Sequence, residues 1–357
     1  MIALRGKGHR KTLPLLSAAI ALALAGAAAT NARPREAAPP IVLADQGSFE
    51  AGGTVIGAGA TETACDYGHV EYQIPARARQ TPLFLWHSSS VAVWQRRWDG
   101  GEGYQNIFLR RGFPVYLWDG PRVGRANYGC ASYTYTPQEG RDAQSFLAWR
   151  LGPQFMEFYP GVQFPTADRN AWDQAVRARY DEFDTVFNAQ LESNAAAKAL
   201  DRIGPSVLVT NSAGGFRAML TALKTDNVAG LVAYETPGFV FPEGEGPKPG
   251  TGPFGPVSVP LADFKKLTRF PIQLVYGDYL DRAPQWTRAF ERAKEWVAIV
   301  NAHGGHAEVL HLPDRGLHGN THIAFADLNN VAVADLLSEF LHRNGLDKRA
   351  SKARTGR

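Results

Sequence analysis

Cysteine is almost absent from this 357-residue chain: Cys65 and Cys130 are the only two, and they form no C-x-x-C pair. The scarcity excludes a cysteine-based zinc site and a dithiol redox motif. It leaves room for one disulfide, if the fold brings the two Cα atoms within about 7 Å in an oxidising compartment. Clusters of histidine with carboxylates are lacking too, since His303, His306 and His311 have no acidic partner at ligand spacing. No metal and no other cofactor is expected. A strong charge of one sign is also missing. The net charge is +4, but Arg5, Lys7, Arg10 and Lys11 at the start and Lys348, Arg349, Lys352, Arg354 and Arg357 at the end supply nine of the 38 basic residues. The remaining 29 face 34 acidic residues, so the body carries about −5. Such a body has no cationic face to neutralise phosphates, which argues against nucleic acid as a partner.

The N-terminal segment is different in kind. Its four basic residues precede an apolar run over 13–29, and Thr30-Asn31-Ala32 follows with small residues at cleavage positions. This layout predicts a signal peptide over 1–32 rather than an anchor helix, because the run thins into alanine and no charged flank stops it before Pro34. The mature protein is then expected in the periplasm or outside the cell, without stable membrane insertion. No cysteine beside the run offers a lipid attachment point, and Arg10-Lys11 is only a faint echo of a twin-arginine signal.

With 45% apolar residues the rest of the chain is ordinary for a globular protein. A linker is expected over 33–45, one domain over 46–345 and a disordered basic tail over 346–357. Within the domain, 54–58 and 69–75 read as an antiparallel strand pair turning near Cys65. Short apolar runs at 83–86, 115–118, 206–209, 230–234, 272–276 and 308–312 suit buried parallel strands. Helical patterns at 103–111, 213–223, 285–300 and 329–342 alternate with them. The fold class predicted is α/β, a mostly parallel sheet flanked by helices. Two stretches break the rhythm: 151–187, rich in aromatics, and 237–260, dense in Gly and Pro. Both read as insertions over one end of the sheet, where α/β proteins bind ligands.

The chemistry concentrates at Val207-Leu208-Val209-Thr210-Asn211-Ser212-Ala213-Gly214-Gly215, a buried strand running through a serine into small residues and a helix. This is the pattern of a nucleophile elbow, whose sharp turn demands small flanking residues and sets Ser212 at the positive end of the helix. Thr210 stands where glycine is usual. A serine hydroxyl needs a neighbouring imidazole to take its proton, and His322, between the last strand and last helix, is the candidate, with His318 its competitor in the same loop. The carboxylate that orients the imidazole falls between them in chain order. Glu235 and Asp278 both follow strands, and spacing favours Asp278. An oxyanion hole requires two backbone N–H groups, assigned to Ala213 and to Ser89 in Trp86-His87-Ser88-Ser89-Ser90.

Together with Trp98-Asp99-Gly100-Gly101-Glu102-Gly103-Tyr104, the run from Phe108 to Gly112, the run from Tyr116 to Pro121, Glu235-Thr236-Pro237, and Gly319-Asn320-Thr321-His322 through Asn330, the chain resembles the esterase 713 branch of the α/β-hydrolases. The resemblance implies a serine carboxylesterase with the acid after the sixth strand. That places it on Glu235 and leaves Asp278 as the alternative acid. The family's type member carries vicinal cysteines where Ser89-Ser90 stand here, so no disulfide stiffens that loop.

The reading is an exported esterase acting through an acyl-enzyme on Ser212, with a small-molecule ester as its partner. Phe155, Met156, Phe158, Tyr159 and Phe164 in the first insertion suggest an apolar group on that ester. An amidase, lactonase or acyltransferase would use the same residues. A catalytically silent binding protein on the same fold is the alternative of another class.

Overall fold

A computed structural model describes residues 38–350 except 134, 135, 181 and 251. The chain divides into two units, Met1–Pro40 and Ile41–Arg357. The expected signal peptide and the end of the basic tail, 351–357, lie outside the described residues. Every described strand and helix belongs to the second unit.

Its strands are β1 (Leu43–Ile56), β2 (Thr63–Pro75), β3 (Leu83–His87), β4 (Val115–Asp119), β5 (Ser206–Asn211), β6 (Val228–Tyr234), β7 (Val240–Pro242), β8 (Val257–Val259), β9 (Pro271–Tyr276) and β10 (His306–His311). The helices are α1 (Ala92–Gln95), α2 (Tyr104–Arg110), α3 (Arg141–Ala148), α4 (Arg169–Arg177), α5 (Val186–Ile203), α6 (Ala213–Ala222), α7 (Leu261–Phe264), α8 (Pro284–Ala302) and α9 (Asn330–Arg343). Eight strands form one sheet in the order β1-β2-β4-β3-β5-β6-β9-β10, and β7 pairs with β8 apart from it. β2 runs antiparallel to both β1 and β4, while every pair from β4 to β10 is parallel.

Parallel strands joined by helices are covered on both faces, so their side chains are apolar on both. Leu83 and Leu85 of β3, with Val207 and Val209 of β5, face α2 and α9, while Phe84, Trp86 and Leu208 face α5, α6 and α8. Helix starts are set locally. Asp168 accepts from Asn170 N–H at 2.9 Å ahead of α4, Thr185 accepts from Asn188 N–H at 3.0 Å ahead of α5, and Pro284 opens α8. Gly68 of β2 leaves the space that the Trp118 indole fills, since a Cβ there would lie 1.9 Å from the ring.

Several boundaries differ from the sequence expectation. The strand pair turns at 57–62, where Gly57 and Gly59 have positive φ, so Cys65 lies inside β2, and β1 reaches back to Leu43, inside the stretch expected to be linker. Cys65 and Cys130 are bonded, with Cα atoms 5.0 Å apart. The expected tail is ordered as far as Ala350: Gln80 N–H donates to Lys348 C=O, and Ala350 N–H donates to Ala78 C=O. Its charges suggested solvent, but its backbone closes against the segment before β3.

The two insertions behave differently. Residues 151–187 pack over the carboxyl ends of the strands, with Gln163 N–H on Gly319 C=O and Tyr180 N–H on Ser89 C=O. Residues 237–260 instead lay Phe239, Val240 and Phe241 into the core beside α6 and α8, and Trp296 Nε1 of α8 donates to Val240 C=O at 2.6 Å. That second insertion thickens a helical face.

Candidate active site

The turn from β5 into α6 holds Ser212 at φ 53° and ψ −132°, a conformation that non-glycine residues adopt at a cost of about 1–3 kcal/mol. Its backbone N–H donates to Tyr234 C=O at 2.9 Å, so the turn is tied to the end of the neighbouring strand. Space for the turn comes from Gly214 and Gly215. A Cβ at Gly215 would lie 2.5 Å from Thr236, and one at Gly214 would lie 3.0 Å from Trp86 C=O and 3.5 Å from the Thr210 Cβ. The tighter approach at Gly214 is to the Trp86 carbonyl, and the 3.5 Å to Thr210 is ordinary contact, so the β5–α6 turn accommodates threonine where glycine is usual. Ser212 is half-buried. Ala213 opens α6, so its N–H belongs to the first turn, whose donors lack intrahelical acceptors.

One strand over, Glu235 follows β6 and also has a positive φ, 51°. Its carboxylate meets the His322 imidazole, with Oε2 3.0 Å from Nδ1. Nδ1–H therefore donates to the acid and Nε2 is left as the basic nitrogen, which is the tautomer general-base chemistry needs. Glu235 Oε1 accepts Gly277 N–H at 2.7 Å and one arm of the Arg150 guanidinium, while the other arm reaches Oε2 at 2.7 Å. Burial pushes the Glu235 carboxyl up, but the charge of Arg150 and the bond to His322 outweigh it and hold the group down at about 2. Burial lowers His322, opposed by the bond and charge of Glu235 and reinforced by Arg150. The imidazole is thus kept neutral and ready to accept a proton.

Asp278 does not meet His322. Its Oδ2 accepts Gly319 N–H at 2.8 Å, its Oδ1 accepts Tyr279 N–H, and its own N–H donates to Asn320 C=O. It braces the loop that carries His322. His318 lies 3.7 Å from Asp278 and is 71% exposed, turned outward. The spacing argument misled because both acids end adjacent parallel strands, and the choice between them rests on where the side chains point.

The Ser89 N–H has a partner already: His87 Nδ1 accepts it at 2.9 Å and accepts Ser90 N–H at 3.2 Å. Burial lowers His87 to about 3, so it is neutral with its proton on Nε2. The expected oxyanion donor is therefore engaged within its own loop. Beneath that loop, Arg217 of α6 reaches Ser88 C=O at 3.5 Å, Asp184 at 3.0 Å and Glu192 at 3.3 Å.

Sequence reasoning missed Arg150, Asn211 and the bracing role of Asp327. Asn211 Nδ2 donates to His322 C=O at 3.0 Å and to Tyr234 C=O at 3.2 Å. Asp327 accepts Thr321 N–H at 2.7 Å and Thr321 Oγ1–H at 2.9 Å just before His322. Burial raises Asp327 to about 7. A single cation in the aromatic stretch Phe146-Leu147-Ala148-Trp149-Arg150-Leu151 was the available signal for Arg150. The aromatics of the first insertion pack on one another around Trp172, whose ring lies 5.4 Å from Phe146, 5.9 Å from Phe155 and 6.4 Å from Phe164. Their main visible role is to hold the insertion together.

The strand order, the strained serine turn and the His–Glu pair at the strand ends are those of the α/β-hydrolase fold, and likeness to an esterase and a lipase marks the chain as a hydrolase acting on carboxylic esters. The chain is similar to a solved novel bacterial esterase at 25% identity, with a TM-score of 0.73 over 87% of this chain and 99% of that one. It is also similar to the probable secreted lipase phiG of a fungal species (strain ATCC 74256), 23% identical over 290 residues, which are 70% of this chain and 78% of that protein. No protein-family model matches the chain.

Proposed function

We propose that the protein is an exported serine carboxylesterase that works through an acyl-enzyme on Ser212. The observation that carries the reading is the pairing of His322 with Glu235, tied through Asn211 and Tyr234 to a serine held in a strained turn. In the first half-reaction His322 Nε2 takes the Ser212 proton as Oγ bonds to the ester carbonyl carbon. The negative charge that develops on the carbonyl oxygen is met by Ala213 N–H and by Ser89 N–H, the latter released from His87. The alcohol leaves with the proton from His322. Water, deprotonated by the same nitrogen, then releases the carboxylic acid and restores Ser212. Glu235 fixes the imidazole and stabilises its cation throughout.

Export is supported by the signal-peptide layout over 1–32, by a disulfide suited to an oxidising compartment, and by the likeness to a probable secreted lipase. Among the described residues no helix is long and apolar enough to cross a membrane. The test is hydrolysis of nitrophenyl esters of increasing acyl length by the mature protein beside Ser212→Ala and His322→Ala. Both substitutions are expected to lower kcat by several orders of magnitude. Activity indifferent to Ser212 overturns the mechanism, and a parent protein that neither hydrolyses esters nor reacts with a fluorophosphonate overturns the enzymatic reading.

A further inference from the structure

α3 ends in a Schellman turn: Leu151 N–H donates to Phe146 C=O and Arg150 N–H donates to Leu147 C=O. The residue that must adopt the left-handed conformation in such a turn is usually glycine. Here it is Arg150, at φ 60°, and its side chain is 1% exposed. The backbone strain is accepted at a position where glycine would remove it. The side chain that results reaches inward, grips both oxygens of Glu235, donates through Nε to Asp278 C=O at 2.7 Å and lies 5.6 Å from the Trp286 ring. Trp286 in turn packs 4.3 Å from the His322 imidazole and donates to Ala148 C=O, two residues before Arg150.

Resting on the esterase reading, we propose that Arg150 is a positioning residue of the active site: its fork orients Glu235 toward His322, and its charge extends the enzyme's activity into acid. A bidentate guanidinium fixes the plane of a carboxylate as well as its place, which a single donor cannot do. With both Glu235 oxygens held, the imidazole has one orientation in which Nδ1–H is satisfied. Burial already disfavours a cation on His322, and the fixed charge of Arg150 adds to it, which helps the base stay unprotonated at lower pH. Around the pair, Glu235 and Glu182 raise His322, while burial and Arg150 lower it. His322 is faced by Glu235, Arg150, Glu182 from the first insertion and neutral His87, and Glu235 by Arg150, His322 and the Tyr276 phenol. Arg150 also acts on buried Asp327. Because Arg150 begins the insertion that runs over the strand ends, the same residue couples the placement of that cover to the catalytic pair.

The experiment compares the pH profile of kcat/KM for the parent, Arg150→Gly and Arg150→Lys on one nitrophenyl ester. Glycine suits the turn, so the variant retains the backbone geometry while losing the fork and the charge. Arg150→Gly is expected to lose about tenfold or more in kcat and to move the acid limb upward by about half a pH unit or more. Arg150→Lys is expected to return the acid limb toward the parent's position without restoring kcat, which separates charge from fork. An Arg150→Gly profile that superimposes on the parent's overturns the proposal, even if the melting temperature falls. Fluorophosphonate labelling gives a second readout: the half-point of Arg150→Gly is expected at higher pH than the parent's, and coincident half-points overturn the proposal. Ser212→Ala run alongside keeps the two failures apart, since activity surviving that substitution refutes the esterase mechanism and not the role of Arg150 alone.

Discussion

The side-chain amide of Asn211 donates to the backbone carbonyl of His322 at 3.0 Å, joining the residue before the nucleophile to the base itself. The same amide holds the carbonyl of Tyr234, which precedes the acid. One short side chain thus sets the spacing of three segments that are far apart in sequence.

Asn211→Ala removes that tie: His322 C=O loses its donor, while Tyr234 C=O keeps Ser212 N–H. The expected outcome is a fall in kcat of about 10–100-fold and a loss of about 1–3 kcal/mol in stability. Steady-state kinetics with urea unfolding reads both. A variant with parental kcat would show that the spacing is held by the strands alone.

Glu235→Gln keeps the shape of the acid but not its charge, and is expected to lower kcat by about 10³–10⁴-fold. Asp278→Asn, which changes only the brace on Gly319, is expected to remain within a few-fold of the parent. The opposite ranking would transfer the acid's role to Asp278.

Gly277 lies between the acid and the histidine loop, and a Cβ there would approach Asn320 C=O at 2.7 Å, Thr321 C=O at 2.8 Å and Glu235 Oε1 at 3.0 Å. Gly277→Ala is therefore expected to depress kcat by displacing both partners, with KM for small esters little changed. An unchanged kcat would mean that the loop yields without cost.

Glu235 and Asp327 push stability in opposite directions with pH. Glu235 is depressed to about 2, so its contribution is present above its ordinary value of 4.5 and is lost as pH falls toward 2. Asp327 is raised to about 7 from 3.8, so the fold favours its protonated form, and that stabilisation fades as pH rises from about 4 through 7. Glu192, also raised to about 7 by burial, adds a slope of the same sign. Asp327→Asn should remove its share: relative to the variant, the parent is expected to melt higher at pH 5 than at pH 8. Equal differences at the two pH values would refute the assignment.

The Cys65–Cys130 bond closes 65 residues of sequence and lies at the β1–β2 end of the sheet. Replacing both cysteines by serine is expected to cost up to about 4 kcal/mol through the unfolded chain while leaving kcat near the parent's. Melting with and without reductant, next to esterase assays, checks this. A lost activity at temperatures where the variant is folded would tie the bond to the site.

Much of this architecture was legible because each parallel strand is a short apolar run bounded by polar residues. β5, Ser212 and α6 were readable as a unit for that reason. What periodicity cannot carry is side-chain direction. Glu235 and Asp278 occupy equivalent places after neighbouring strands, and the arginine that distinguishes them comes from the end of α3. The Ser89 N–H was chosen by position, but a histidine two residues earlier accepts it through a ring whose orientation no spacing rule gives. The tail from 346 to 350 was misread from its charge, although its order rests on backbone hydrogen bonds that any side chain permits.

The return of residues 348–350 to the segment before β3 bears on how the chain matures. Arg349 Nη1 donates to Arg77 C=O at 2.6 Å, Ala350 N–H to Ala78 C=O, and Gln80 N–H to Lys348 C=O. The residues leading into β3 thus find their partners about 270 residues later in the chain, after every strand of the sheet has been made. A growing chain presents residues 77–80 with these bonds unmade until residue 350 has emerged, and a stop codon before 346 removes the partners of that early segment.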